Sequence, residues 1–238
     1  MAGPDFANAK AILFDMDDTL INWRAAEAGA VAALSTSHFV PAGATHDTVV
    51  STYATILEET WEMWRRERRW IYVTERLRTL TERLGLSGLD ADALGAQFHV
   101  EAASRLALLD GADEVLATAR QGRRTALLTN GRPEIQRPKV DRFRFDTKVD
   151  FVGITGELGA WKPDLRAFRI VLDRLGVAPE EAIMVGDAID FDIVPAKRLG
   201  MGTVWVNPTG SSHPDADLVV ASPAGMLSHF AALHAQPS

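Results

Sequence analysis

The sequence contains no cysteine among its 238 residues. Disulfide bonds, thiolate metal sites, iron–sulfur clusters and cysteine nucleophiles are therefore excluded, and any metal has to bind through oxygen or histidine. The six histidines are scattered without the spacing of metal ligands, so we assign them no role. The absence of cysteine fits a reducing compartment, and we expect the protein to be cytoplasmic.

Long apolar runs and an excess of positive charge are also missing. The longest apolar stretches are far shorter than the roughly 20 residues of a membrane-spanning helix, and the N-terminus lacks the pattern of a targeting segment. The formal net charge of −7 argues against a protein whose main task is to hold a nucleic-acid backbone. We therefore expect a soluble protein that binds neither membranes nor nucleic acids.

Short apolar runs that end in polar residues recur along the chain, with helix-like segments between several of them. A run of this kind is typical of a strand that is buried on both faces of a parallel sheet. The runs are AILFD (11–15), TALLTN (125–130), AIMVGD (182–187), GTVWVN (202–207) and DLVV (217–220). The sequence therefore predicts an α/β fold with a doubly wound parallel sheet and helices on both faces.

Between the first and second of these runs the pattern changes to successive amphipathic helices. The longest helix is predicted at 48–70 and the next at 71–84, with Gly85 as a left-handed cap. Because both ends of this stretch return to the sheet, we interpret 22–108 as an inserted helical domain. Residues 1–21 and 109–238 then form the α/β core domain.

Polar residues cluster where the predicted strands end. Ligands of an open α/β sheet bind at the carboxyl ends of its strands, so these ends are where a site is expected. The candidates there are Asp15, Asp17, Thr129, Asn130, Gly131, Lys162, Asp187, Asp190 and Asp192. Each of them alone is compatible with a helix cap, a turn or a solvated side chain. Independent capping does not predict that all of them lie at one edge.

Four motifs at this edge resemble the haloacid dehalogenase superfamily, and the resemblance covers essentially the whole chain. They are DMDDT, LLTNG, WKPD and GDAIDFD, in the order that this family shows. The helical insertion after the first motif resembles the family's first type of cap domain. The stretches LLTNGRPEIQRPK and TGELGAWKPD are similar to the branch with N-acylneuraminate-phosphate phosphatases and cytoplasmic 5′-nucleotidases.

The resemblance implies a Mg²⁺-dependent phosphohydrolase that works through an aspartyl-phosphate. A carboxylate can act as the nucleophile, and this role falls to Asp15. Asp17 would protonate the leaving oxygen and then activate water. The implied metal ligands are Asp15, Asp187 and the backbone carbonyl of Asp17, with Asp192 close by; on spacing we prefer Asp192 to Asp190 in this motif. Lys162 would hold both the nucleophile and the phosphate, while the Thr129 hydroxyl and the amides near Asn130 and Gly131 would bind phosphate oxygens.

The acid at position 17 favours phosphoester hydrolysis, because the family's dehalogenases lack it and its phosphatases keep it. Two alternatives with the same fold remain: a phosphomutase, and a binding protein without catalytic activity. A response-regulator receiver also carries an acidic cluster, a Thr and a Lys on a parallel sheet, but it has no large helical insertion and its phosphorylated Asp follows a later strand.

We expect the substrate to be a small phosphorylated metabolite, such as a sugar phosphate, a nucleotide or a phosphoglycolate-like compound, and the protein to be a monomer or homodimer. Trp23 and Arg24 are candidates for substrate contact, because the linker into the insertion has to pass the site. The segment WEMWRRERRW (61–70) has two interpretations. Its side chains either meet the substrate or form an ordinary packing stripe with a solvated basic face.

Overall fold

A six-stranded parallel sheet is the centre of the computed structural model, which describes residues 8–67, 69, 71–86 and 88–234. The strand order is β3-β2-β1-β4-β5-β6, so the chain winds outward from β1 in both directions. The strands are β1 (Ala11–Phe14), β2 (Arg124–Thr129), β3 (Phe151–Ile154), β4 (Ala182–Gly186), β5 (Gly202–Val206) and β6 (Leu218–Val220). The predicted doubly wound α/β fold is confirmed.

The central strand β1 shows why the apolar runs form this sheet. All four of its residues are fully buried, and Ile12 lies in register with Thr125 on one side and Ile183 on the other. A strand that is covered on both faces needs apolar side chains at every position, not at alternate ones. The edge strand β3 was missing from the prediction, because its four residues include Gly153 and its first two are only half-buried.

By its contacts the chain divides into two compact units. One contains the residues up to Asn22 and from Ala107 onward, and the other is Trp23–Leu106. The second unit contains α1 (Trp23–Leu34), a π-helical turn (Ser35–Phe39), α2 (His46–Glu67), α3 (Val73–Arg83) and α4 (Ala91–Arg105). The helix predicted at 48–70 is thus observed from His46 to Glu67, and Trp70 lies outside the described residues.

The helices of this insertion pack around an apolar cluster of their own. Val31, Tyr53, Leu77 and Phe98 belong to it, one from each helix. Trp64 is also buried in the insertion, and Trp61 is half-buried. Burial of Trp64 supports the packing interpretation of the tryptophan segment for that residue.

A buried polar cluster joins three of these helices. Arg76 of α3 forms an ion pair with Glu27 of α1 at 3.0 Å, and the Tyr53 hydroxyl of α2 donates to the same carboxylate at 2.9 Å. The Arg76 guanidinium also lies 5.5 Å from the centre of the Tyr53 ring. Burial, with the nearby Glu27 charge, raises the pKa of Tyr53 well above its usual value. The positive and negative charges of this cluster balance.

The core unit carries seven further α-helices within the part of the chain that the structure describes. They are α5 (Ala112–Ala119), α6 (Pro133–Phe143), α7 (Phe145–Lys148), α8 (Thr155–Leu158), α9 (Leu165–Leu175), α10 (Val194–Arg198) and α11 (Leu227–His234). One face of the sheet is covered by α9, whose Phe168 and Val171 pack with Leu13 and Met184. The Asp164 side chain caps the start of α9 by accepting from the Arg166 amide at 2.9 Å.

The two chain segments that connect the units are joined to each other inside the core unit. Asn22 Oδ1 accepts from the Ala107 amide at 2.7 Å, and the Asn22 amide donates to the Ala107 carbonyl at 3.1 Å. A short bridge between Ile21 and Leu108 continues this pairing. Among the described residues, no helix is long and apolar enough to cross a membrane.

Candidate active site

A buried lysine connects two of the predicted site acids at the carboxyl edge of the sheet. Lys162 Nζ donates to Asp15 Oδ1 and to Asp192 Oδ1, each at 2.6 Å. All three residues are buried, with Lys162 only 3% exposed. Asp15 follows β1 directly, and its amide continues the sheet by donating to the Val185 carbonyl at 2.8 Å. Regular sheet geometry therefore fixes the position of the candidate nucleophile.

The charges of this cluster do not balance. Burial raises the pKa of the Asp15 carboxyl to about 7, because desolvation and the neighbouring carboxylates outweigh the lowering by Lys162. Burial alone would lower the pKa of Lys162, but the charges of Asp15 and Asp192 raise it above its usual value. The lysine therefore remains charged, and once Asp15 is ionised, above about pH 7, one ammonium has to compensate two buried carboxylates.

Three carboxylates lie close enough to share one metal ion. Oxygen atoms of Asp15, Asp187 and Asp192 all lie within 4.8 Å of one another. Oxygen-only donors of this kind suit a hard divalent cation such as Mg²⁺. The residues present thus fit the predicted metal, which would also correct the excess of negative charge. The Trp205 indole on β5 donates to the Asp187 carbonyl at 2.7 Å and helps to fix that loop.

The glycine before Asp187 makes room for Asp192. A Cβ atom at Gly186 would overlap the Asp192 carboxyl group, so any larger residue would displace it. The same carboxyl group accepts from the Ala188 amide at 3.1 Å, which turns it inward. Asp190, by contrast, is exposed. Of the two acids considered for this motif, the structure places Asp192 in the cluster.

The loop after β2 is tied to the lysine loop by a reciprocal pair of hydrogen bonds. Asn130 Nδ2 donates to the Lys162 carbonyl, and the Lys162 amide donates to Asn130 Oδ1, both at 2.9 Å. The Gly131 amide donates to Thr155 Oγ1 at 3.1 Å. These contacts hold the backbone around Lys162 and Gly131. The Asn130 side chain and the Gly131 amide thus have protein partners in this structure. Contact of this loop with phosphate stays a prediction.

The second acid of the first motif contacts helix α6. Lys139 Nζ lies 2.8 Å from both carboxylate oxygens of Asp17, and Gln136 Nε2 donates to Asp17 Oδ2 at 2.9 Å. Gln136 Nε2 also lies 2.8 Å from Thr129 Oγ1, which is buried. Gln136 thus contacts both Asp17 and Thr129, and Lys139 contacts Asp17. Neither Gln136 nor Lys139 was predicted from the sequence.

The spacing of Gln136 and Lys139 in the sequence indicates that their side chains lie on the same face of a helix. The two polar residues stand at i and i+3, which places them on one face of a helix. That face is buried in the structure, together with Val140. The pattern becomes informative only when the buried face of α6 is known.

The remaining candidates, Trp23 and Arg24, belong to the helical insertion. The Trp23 ring packs edge-on against Phe98, with ring centres 6.4 Å apart, while Arg24 is exposed. The edge-on packing accounts for the partial burial of Trp23 within its own unit. Substrate contact by these two residues stays a prediction.

The sequence is similar to those of several known phosphatases. The family model described as haloacid dehalogenase-like hydrolase matches residues 9–200. A phosphoserine phosphatase of Thermus thermophilus is 45% identical over 43% of this chain, although the match spans only 42% of that protein. A ribulose-1,5-bisphosphate 5-phosphatase of Halopiger xanaduensis is 31% identical over 86% of this chain and 87% of its own. An N-acylneuraminate-9-phosphatase of Mus musculus is 36% identical over 43% of this chain and 42% of its own.

Solved structures share the fold at low sequence identity. YfnB of Bacillus subtilis, determined bound to magnesium, has a TM-score of 0.79 at 22% identity and covers 94% of this chain and 98% of its own. These structures show the fold, while the family model and the Halopiger relative confirm the predicted resemblance to the haloacid dehalogenase superfamily. The named phosphatases among the relatives support the prediction of a phosphoric monoester hydrolase.

Proposed function

The chain belongs to the haloacid dehalogenase-like hydrolase family, and from this we propose that it hydrolyses the phosphate monoester of a small metabolite through a phosphorylated Asp15. The observation that carries the proposal is the cluster at the sheet edge. It contains a buried carboxylate in contact with a buried ammonium, and two further carboxylates within reach of one cation. Such a set can supply both a nucleophile and positive charge for a phosphoryl group.

In the first step a carboxylate oxygen of Asp15 attacks phosphorus. A bond forms between that oxygen and phosphorus, and the bond from phosphorus to the ester oxygen breaks. The departing oxygen takes a proton from the Asp17 carboxyl group, so the alcohol leaves neutral. Lys162, 2.6 Å from Asp15, holds the nucleophile and offsets charge on the phosphoryl oxygens, to which Thr129 also donates.

In the second step water removes the phosphoryl group from Asp15. The Asp17 carboxylate takes a proton from this water, whose oxygen attacks phosphorus while the bond to Asp15 breaks. Inorganic phosphate leaves, and both carboxyl groups return to their starting states. The acid of the first step thus acts as the base of the second, and this is why position 17 needs a carboxyl group.

Asp15, Asp187 and Asp192 would hold Mg²⁺ together with the Asp17 backbone carbonyl. When bound, the cation supplies positive charge that allows the carboxylates and an anionic phosphate to approach one another. The three carboxylates within 4.8 Å of one another support this assignment.

The substrate class that we propose is a small phosphorylated metabolite. The relatives include enzymes named for phosphoserine and for ribulose-1,5-bisphosphate, both of which are small and carry a phosphate ester. We therefore place phosphorylated hydroxy acids and sugar phosphates first among candidates, and nucleotides after them. We expect poor turnover of phosphoproteins and polynucleotides.

The nucleophile is tested by Asp15→Asn. An amide does not form the acyl phosphate, so we expect phosphate release to fall on the order of 10³-fold or more while the fold is retained. Release is measured with Mg²⁺ over a panel of phosphorylated metabolites. Rapidly quenched wild-type protein should carry phosphate that hydroxylamine removes, and the variant should carry none.

Asp190→Asn is the matched control, because it alters an exposed acid between Asp187 and Asp192. We expect it to keep near wild-type turnover. Comparable activity of Asp15→Asn and Asp190→Asn would falsify the proposed nucleophile. Conversion of one phosphate ester into an isomer without free phosphate would instead indicate a phosphomutase.

A further inference from the structure

Lys139 is a buried charged residue that the two proposed steps do not use. Only 5% of its surface is exposed, and its ammonium lies 2.8 Å from each carboxylate oxygen of Asp17. Burial of a lysine is unfavourable unless its charge is paired and hydrogen-bonded. The Asp17 carboxyl group, in contrast, is partly open, with 24% of the side chain exposed. A buried ammonium thus contacts both oxygens of a partly exposed carboxyl group.

Gln136 holds the same carboxyl group from the preceding turn of α6. Its amide nitrogen lies within 2.9 Å of Asp17 Oδ2, Thr129 Oγ1 and the Asn130 carbonyl, while its Oε1 atom is buried without a protein hydrogen-bond partner. This side chain therefore presents its donor to the site and leaves its acceptor unused. A Cβ atom at Gly131 would lie 2.5 Å from Gln136 Cγ, so the glycine permits this close approach.

We propose that Lys139 and Gln136 are positioning residues that fix the Asp17 carboxyl group in the orientation needed for proton transfer. The inference rests on the proposed function, in which Asp17 serves the leaving oxygen and then water. Without such contacts an Asp side chain can rotate among several staggered conformations. Three contacts from one helix, involving both oxygens, remove that freedom before substrate arrives.

The two residues act through Asp17 and do not touch the phosphate in this scheme. Their loss should therefore lower kcat/KM, which reports formation of the aspartyl-phosphate, for esters whose leaving oxygen needs a proton, and should spare kcat/KM for esters whose leaving oxygen is stable as an anion. The later water step, in which Asp17 acts as the base, is common to both kinds of ester and does not enter kcat/KM. Loss of either residue should also lower kcat more than it changes KM, because the affected group works in the transition state. A residue that merely stabilised the fold would not separate leaving groups in this way.

The test is a double-mutant cycle with Lys139→Met and Asp17→Asn on two esters. With an alkyl phosphate, Lys139→Met should lower kcat/KM roughly ten- to a hundredfold, which is part of what general acid catalysis contributes. With p-nitrophenyl phosphate the loss should stay below about threefold, because that leaving group needs little protonation. In the Asp17→Asn background, Lys139→Met should cause almost no further loss on either ester.

Two further variants keep the test interpretable. Lys148→Met is the control, since it removes another lysine of the core unit that pairs with Asp113 away from the site, and it should leave both esters unaffected. Lys139→Gln keeps a hydrogen-bond donor on a side chain one atom shorter and is the substitute if Lys139→Met does not fold; a smaller loss, confined to the alkyl phosphate, is expected.

Equal losses of kcat/KM on the two esters, or losses that multiply in the double variant, would overturn the positioning role. A wild-type protein that releases phosphate from neither ester nor from any metabolite would overturn the proposed function itself. The wild-type measurement therefore separates the two failures before any variant is compared.

Discussion

Each unit of the protein buries a cluster of charged side chains, and the two clusters are built differently. In the helical insertion one arginine meets one glutamate, and a tyrosine hydroxyl completes the contact. At the sheet edge one lysine meets two aspartates, with Asp187 close by. The first cluster is neutral as it stands, whereas the second has more negative than positive charge.

The difference indicates that the first cluster supports the packing of the insertion, whereas the second is suited to bind a cation. A balanced buried pair is stable without any ligand, although it is easily broken by the loss of one partner. An unbalanced cluster remains under electrostatic strain until a cation binds, and that strain becomes binding energy for the cation. Glu27 and Arg76 thus serve the packing of the insertion, while we propose that Asp15, Asp187 and Asp192 bind a cation.

Among the changes that test this difference, removal of divalent metal should have the largest effect on activity. We expect excess chelator to abolish phosphate release and Mg²⁺ to restore it. Mg²⁺ should also stabilise the wild-type fold, by about 2.7 kcal/mol at a hundredfold excess over its Kd. Asp187→Asn should lose most of this stabilisation, which thermal unfolding measures without any substrate. Undiminished turnover in chelator, with metal analysis showing metal-free protein, would contradict the assignment.

Breaking the balanced cluster should act on stability and not on chemistry. Arg76→Met leaves Glu27 buried without its cation, and breaking such a pair costs about 3–5 kcal/mol. Denaturant unfolding followed by tryptophan fluorescence measures this, because Trp23, Trp61 and Trp64 lie in the insertion. Turnover of p-nitrophenyl phosphate by the folded fraction should stay near wild type.

The matched control for Arg76→Met is Arg78→Met on the same helix. Arg78 pairs with Asp92 at 3.4 Å, but both side chains are at least half exposed. Exposed pairs contribute 0 to about 1 kcal/mol, so this change should hardly alter stability. If the two variants had the same free energy of unfolding, the cluster around Arg76 would not stabilise the insertion.

Substitution of Trp23 or Arg24 should have the smallest effect. Trp23 follows Asn22, whose pairing with Ala107 joins the two linkers, and it lies six residues after Asp17. We expect Trp23→Ala and Arg24→Ala to change the relative kcat/KM of metabolites by about three- to tenfold, as lost side-chain contacts do. The rate with p-nitrophenyl phosphate should change less. An unchanged order of metabolites in both variants would remove these residues from the substrate site.

Much of the core could be predicted because its signals are local. An apolar run such as AILF can be satisfied only by burial on both faces, and the polar residue after it is then left at the sheet edge. The insertion was visible because its helical periodicity differs from that of the strands. Strand β3 was not predicted, because a short edge strand needs few apolar residues and Gly153 interrupts the apolar run of Phe151–Ile154.

Local patterns suffice to predict the fold class and the order of the four motifs, since hydrophobic patterning and strand-end residues are properties of neighbouring positions. The family resemblance also implied that Lys162 holds Asp15, but the other side-chain pairs are seen only in the folded chain. Lys162 reaches Asp15 and Asp192 across 147 and 30 positions of sequence, and Lys139 reaches Asp17 across 122. Contacts over such separations depend on which faces of helices and strands are turned together, and no local pattern encodes that.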